Sequence, residues 1–257
     1  MSKRIIKGLI IFTICFSLVL GASSFFFNSN STFGNISSNM NKTKIILFDI
    51  DGVLIRPPYY FSKELENLGY INVVESLNSF FNGRDHHLCL EGKADIEKII
   101  IPFLNKFGWQ RTSKDYLKQQ FQFESNYLDG NFISIINRLR KEGIKCFLCT
   151  DQEKNRAKFI LKKMNFQNIF DGHFISYYIG YRKCHDNFWK YVIDELKKEF
   201  SDTRLGEIAF FDDIQNNVDT ASKFGIQAYL FKDIQQFRKD LNTLKLHKNK
   251  KPNFKLI

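Results

Sequence analysis

The run KIILFDIDGV, residues 44–53, decides how the chain is read. Its four consecutive apolar residues, Ile45 to Phe48, fit a strand buried on both faces, as strands of a parallel sheet are. Asp49 and Asp51 follow at once, and Gly52 with Pro57 and Pro58 then breaks the chain. Further along, Phe132, Ile135, Ile136 and Leu139 recur at helical spacing over 131–142, Gly143 stops that helix, and IKCFLC (144–149) reads as the next strand. The expected sequel is a helix over 153–164, a short strand near 173–176, a helix over 185–200, a strand over 207–211, a helix to Phe224 and a strand over 227–231. Alternating strands and helices imply right-handed crossovers, hence an α/β fold with a doubly wound, Rossmann-like parallel sheet.

Residues 59–127 interrupt that rhythm. Their helical patches, among them 62–67, 73–81 and 96–107, have no strand between them, so an all-helical insertion is expected. Entering after the first strand, it would hang over the sheet's carboxyl edge, where ligands bind in such folds, and shield the site from water.

Composition sets outer bounds. With 257 residues, 44% hydrophobic and 25% charged, and only four prolines, the chain has the makings of one large or two modest folded domains and not of a disordered or collagen-like protein. The formal charge of +11 is concentrated at the ends, in Lys3, Arg4 and Lys7 and in Lys245, Lys248, Lys250, Lys251 and Lys255. The body between them is mildly basic, a poor basis for a nucleic-acid surface. A basic helix with Lys154, Arg156, Lys158, Lys162 and Lys163 lacks aromatics at stacking spacing and reads as a solvated face, so no nucleic-acid partner is expected.

Residues 1–27, a basic head followed by an uncharged apolar run, read as a signal peptide or membrane anchor. Either one sends the later residues to the non-cytoplasmic side, with a cytoplasmic protein as the alternative. Residues 28–42, rich in Ser and Asn, read as a linker, and 244–257 as a solvated basic tail. Cys146 and Cys149 lie three apart in a strand and so face opposite ways, and the remaining cysteines are too scattered for a disulfide framework.

Polar residues fall where strands end: Asp49 and Asp51, Thr150, Lys183, and Asp212 with Asp213. A single Asp at a strand end is usually a turn residue or a helix cap. Their joint placement points further. Crowded carboxylates repel unless a hard cation holds them, and an all-oxygen donor set favours Mg²⁺. Beside the hydroxyl of Thr150 and the ammonium of Lys183, such a centre suits a dianionic phosphoryl group on a small substrate.

The segments DIDGV (49–53), CTDQ (149–152), GYRK (180–183) and FFDDIQNNVDTASKFGI (210–226) together resemble the haloacid dehalogenase (HAD) superfamily of phosphohydrolases. The resemblance spans about 44–231, and its fourth motif is the most specific. It is closest to the subgroup with a helical cap, near sugar-phosphate phosphatases of the glucose-1-phosphatase type; LEGKADIEKI (90–99) resembles that subgroup's acid-Gly helix entry. It implies a core of 43–58 and 128–243 and a cap of 59–127. It also implies Asp49 as the nucleophile that becomes an aspartyl-phosphate, and Asp51 as the acid that protonates the leaving oxygen and later activates water. Thr150 and the backbone N–H of Asp151 would hold phosphoryl oxygens, and Lys183 would bridge phosphate and Asp49. Mg²⁺ would take Asp49, the Asp51 carbonyl and Asp213, with Asp212 and Asn217 supporting the metal shell.

Cys184 stands where the family usually has Pro, and Asp151 where Asn is commoner. The expected activity is that of a Mg²⁺-dependent phosphohydrolase. A phosphomutase or phosphotransferase shares the core, and an idle membrane-tethered binding protein would be expected to have lost Asp49 or Asp51, both of which are present. Arg84, His86 and His87 are expected to be exposed, and Tyr59, Tyr60 and Trp189 to serve packing.

Overall fold

A computed structural model describes residues 42–246. The expected signal or anchor, nearly all of the expected linker and most of the tail lie outside the described residues. No helix among the described residues is long and apolar enough to cross a membrane.

Five parallel strands form one sheet: β1 (Ile45–Phe48), β2 (Lys145–Thr150), β3 (Gly172–Ile175), β4 (Ile208–Asp212) and β5 (Gln227–Leu230), in the order β3-β2-β1-β4-β5. The period of two along each strand divides the core. Ile46, Phe48, Cys146, Leu148, Ala209 and Phe211 face one layer, and Ile45, Leu47, Phe147, Cys149, Ile208 and Phe210 the other. Cys146 and Cys149 are thus buried on opposite faces, both as free thiols.

Helices Gly130–Lys141 and Ile234–Thr243 cover the first face, and helices Asp186–Glu199 and Gln215–Lys223 the second. Strands buried from both sides by helices are the doubly wound arrangement that the KIILF run implies.

Four local features differ from the sequence reading. Over 153–164 the chain forms an α-turn, Lys154–Lys158, that widens into a π-turn, Phe159–Lys163. Pro102 lacks the N–H needed to continue a helix, and the patch over 96–107 divides into Ile96–Ile99 and Ile101–Lys106. Beyond the strand over 227–231 the chain forms a further helix, Ile234–Thr243, with Ile234, Phe237 and Leu241 at helical spacing; Asp233 caps it by accepting from the backbone N–H groups of Gln235 and Gln236. The start of the tail is not solvated. Leu244 packs in the core, and Thr43 N–H donates to the Lys245 carbonyl at 2.6 Å.

Between β1 and helix Gly130–Lys141 the chain runs through six helices within 61–125, with no strand among them. They share a core of their own, including Leu65, Leu77, Phe80, Ile100, Tyr116 and Phe121. The last helix, Ser113–Ser125, starts at a capping box in which Thr112 and Asp115 satisfy each other's backbone donors. Where the chain leaves and re-enters the sheet layer, Arg56 Nη2 meets Asp129 Oδ2 at 2.5 Å and Ile55 bridges Leu128.

Candidate active site

β1 lies at the centre of the sheet, and the chain winds outward through β2 and β3 before returning to add β4 and β5 on its other side. The order therefore reverses at the β1/β4 boundary, the crevice where open α/β sheets bind ligands. Asp49 directly follows β1, Asp212 ends β4, and Asp49 N–H donates to the Phe211 carbonyl at 3.0 Å. The carboxylates of Asp49, Asp212 and Asp213 converge, each offering an oxygen within 4.8 Å of the others'.

Lys183 provides the counter-charge. Its buried Nζ lies 2.7 Å from Asp49 Oδ2 and 2.6 Å from Asp212 Oδ2. Burial alone would lower its pKa, but Asp212 and Asp49 carry it well above the usual lysine value, so the ammonium persists. Burial pushes the Asp49 carboxyl up, while the Lys183 charge pulls it back. Asp213, raised by burial and then by Asp212, sits at about 6. Asp212 is committed elsewhere: Oδ1 accepts from Ile214 N–H and Asn217 Nδ2, and Oδ2 takes Lys183. It holds the site together more than it faces outward.

The loop before Lys183 is fastened on two sides. Asp151 Oδ1 accepts from Lys183 N–H at 3.0 Å, and Trp189 Nε1 donates to the Lys183 carbonyl at 2.7 Å. Trp189 is fully buried, as a packing residue should be, and it also anchors the lysine. Thr150 is buried at the end of β2, where its hydroxyl accepts from Gln152 Nε2.

The Asp51 carboxyl, counted in the sequence among the crowded strand-end carboxylates, is not part of the convergent cluster; the expectation for its backbone carbonyl is a separate one. Oδ2 accepts from Gln152 Nε2 at 2.8 Å and Oδ1 from Arg156 Nη2 at 3.2 Å. Arg156 is the clearest residue that the sequence reading missed. Placed on a solvated basic face, it is in fact buried, whereas Lys154, Lys158, Lys162 and Lys163 are exposed. The missed signal was helical: Arg156 stands four residues before the buried Ile160 and beside Ala157.

Above these groups lies a cavity of about 780 Å³ between the sheet edge and the helices of 61–125. His86 and His87 line it and are partly buried, not exposed as expected; Arg84 is exposed. His86 Nδ1 is 3.0 Å from the Phe81 carbonyl, and burial lowers its pKa to about 4. Tyr60, expected to pack, is 75% exposed at the mouth, and Tyr59 donates its hydroxyl to Glu64.

Acids gathered at the switch point of a doubly wound sheet place the chain among α/β enzymes that work at the carboxyl edge of the strands. Residues 43–225 match the family described as haloacid dehalogenase-like hydrolase, and the chain belongs to that family. No curated protein matches the sequence. Among solved structures, a HAD family enzyme of Bacteroides thetaiotaomicron in complex with magnesium and inorganic phosphate is 18% identical, with a TM-score of 0.59 over 76% of this chain and 98% of that one. A predicted HAD-like family hydrolase of Porphyromonas gingivalis is 19% identical, with a TM-score of 0.60 over 78% of this chain and 98% of that one. A HAD phosphatase of Thermococcus onnurineus is 17% identical, with a TM-score of 0.55 over 79% of this chain and 100% of that one.

Proposed function

We propose that the chain is a Mg²⁺-dependent phosphohydrolase that frees phosphate from a small phosphorylated metabolite through an aspartyl-phosphate on Asp49. The observation that carries this reading is the convergence of Asp49, Asp212 and Asp213 on one point, with Lys183 as their buried counter-charge. One ammonium does not balance three carboxylates, and an all-oxygen donor set fits Mg²⁺. Asp49, Asp213 and the Asp51 carbonyl would hold the ion, with Asp212 and Asn217 behind them. When bound, it supplies positive charge that offsets both the carboxylates and the phosphoryl oxygens.

In the first step an Asp49 oxygen forms a bond to phosphorus while the bond to the leaving oxygen breaks, and Asp51 gives its proton to that oxygen. In the second step the Asp51 carboxylate takes a proton from water, whose oxygen attacks phosphorus and releases Asp49. Lys183, Thr150 and the Asp151 N–H hold the phosphoryl oxygens through both. The helices of 61–125 act as the cap, and the cavity beneath them falls in the usual range of metabolite sites, roughly 300–1,000 Å³. The test is phosphate release by the full chain from p-nitrophenyl phosphate and a panel of sugar phosphates. Turnover should require Mg²⁺ and cease in EDTA; turnover that persists in EDTA would contradict the reading.

Gly52 shows how tightly this centre is built. Its φ is +78°, and a Cβ there would lie 2.0 Å from Asp213 Oδ2. Gly52→Ala is expected to displace Asp213, raising the Mg²⁺ concentration for half-maximal activity by about tenfold or more, as seen in a Mg²⁺ titration of the rate. An unchanged titration would show that Asp213 does not hold the ion.

A further inference from the structure

A buried arginine is costly unless it is paired. The Arg156 side chain is only 4% exposed, lies with its guanidinium carbon 5.2 Å from the Phe121 ring centre and 5.9 Å from that of Phe159, and has no part in the phosphoryl chemistry described above. Its ionic partners are two carboxylates from different parts of the molecule. Nη2 lies 3.2 Å from Asp51 Oδ1, in the loop after β1, and 3.1 Å from Glu124 Oε2, near the end of helix Ser113–Ser125. Nη2 donates a hydrogen bond to Asp51, while its contact with Glu124 is an ion pair. Nη1 is buried without a hydrogen-bond partner, so the site keeps this guanidinium although part of its donor capacity goes unused.

The Asp51 side chain is half exposed to the cavity and has little packing of its own to fix it. What fixes it is a pair of donors, one for each oxygen: Gln152 Nε2 and Arg156 Nη2. Gln152 belongs to the β2 loop and is itself held, its N–H donating to Ser176 Oγ at 3.0 Å. Arg156 differs because its position depends on Glu124, and Glu124 belongs to the helical segment. Phe121 of the same helix packs on Phe159 with ring centres 5.6 Å apart, and Asn155 Nδ2 donates to Glu97 at 3.0 Å, so this corner of the core docks the segment directly.

We propose that Arg156 is a positioning residue that sets the Asp51 carboxyl for proton transfer and, through Glu124, ties that placement to docking of the helical segment. The inference rests on the phosphohydrolase reading above and adds a part to it. Arg156 neither touches the phosphoryl group nor exchanges a proton. Its contribution is geometric, because proton transfer requires the acid within hydrogen-bond reach of the leaving oxygen.

The leaving group separates this role from a merely structural one. Nitrophenolate departs with little help from an acid, whereas a sugar alkoxide needs its proton during bond breaking. In the full chain, Arg156→Ala should lower kcat/KM for a sugar phosphate by about tenfold or more and for p-nitrophenyl phosphate by only about two- to threefold. Arg156→Lys, which keeps the charge but loses the fork, should show the same contrast to a lesser degree and serves if the alanine variant melts early. Added guanidinium at millimolar concentration should restore part of the sugar-phosphate rate of Arg156→Ala. Glu124→Gln should shift the same ratio, with little further effect in the Arg156→Ala background. Equal losses for both substrates would reduce Arg156 to a structural role and overturn the proposal, and additive effects would remove Glu124 from it. A wild-type chain inactive on every phosphate would instead overturn the phosphohydrolase reading, and this inference with it.

Discussion

Asp49→Asn is expected to lower turnover by at least about 10³-fold while leaving the protein folded. The amide matches the carboxylate in shape but does not attack phosphorus. The buried position of Asp49 predicts little cost in stability, because the substitution removes one of several mutually repelling acids and Lys183 keeps Asp212 at 2.6 Å. Phosphate release and a thermal melt are the paired measurements: a lost rate with a melting temperature equal to or above wild type. Mass spectrometry of rapidly quenched wild type should find a phosphoryl group on the peptide containing Asp49, and the variant should show none. More than about 1% of the wild-type rate in the variant would remove Asp49 from the nucleophile's role.

Lys183→Met should cost both stability and rate. The lysine is fully buried with contacts of 2.7 and 2.6 Å to two acids, and removing one partner of a buried ion pair typically costs about 3–5 kcal/mol because the other is left uncompensated. Methionine fills much the same volume, so the loss would report charge and not a cavity. Chemical denaturation should show a shift of that size, and on the proposed role of its ammonium toward phosphoryl oxygens kcat should fall by about 10²-fold or more. A shift below about 1 kcal/mol would mean that Lys183 is not the counter-charge of the acid cluster.

Much of this was legible beforehand because the residues concerned obey short-range rules. A four-residue apolar run fits a strand covered on both faces, and Gly143 fits the end of a helix that leads into KCFLC, so the alternating pattern and the strand-end placement of Asp49, Thr150 and Asp212 could be read directly. Arg156 is harder to read: one charge among five on a short helix looks like its neighbours, its spacing of four from Ile160 is the one local signal, and only the Phe121 contact shows which side is inward. Asp51 was legible as an acid but not as the acceptor of Gln152 and Arg156, because those donors arrive from residues 101 and 105 positions away. His86 and Tyr60 were misplaced for a similar reason: the helices of 61–125 pack against one another by contacts that no period in the sequence announces.

The sequence by itself determined the layered α/β architecture, the insertion of helices after the first strand and the identity of the acids at the strand ends, since hydrophobic period, helix stops and strand burial act within a few residues. Tertiary structure alone decided which acids converge. It set Asp49, Asp212 and Asp213 around one point, turned Asp51 toward Arg156 and buried Lys183 between two carboxylates. The physical reason is that electrostatic pairing depends on distance in space and on burial, and both are fixed only when β1 and β4 become neighbours in the sheet.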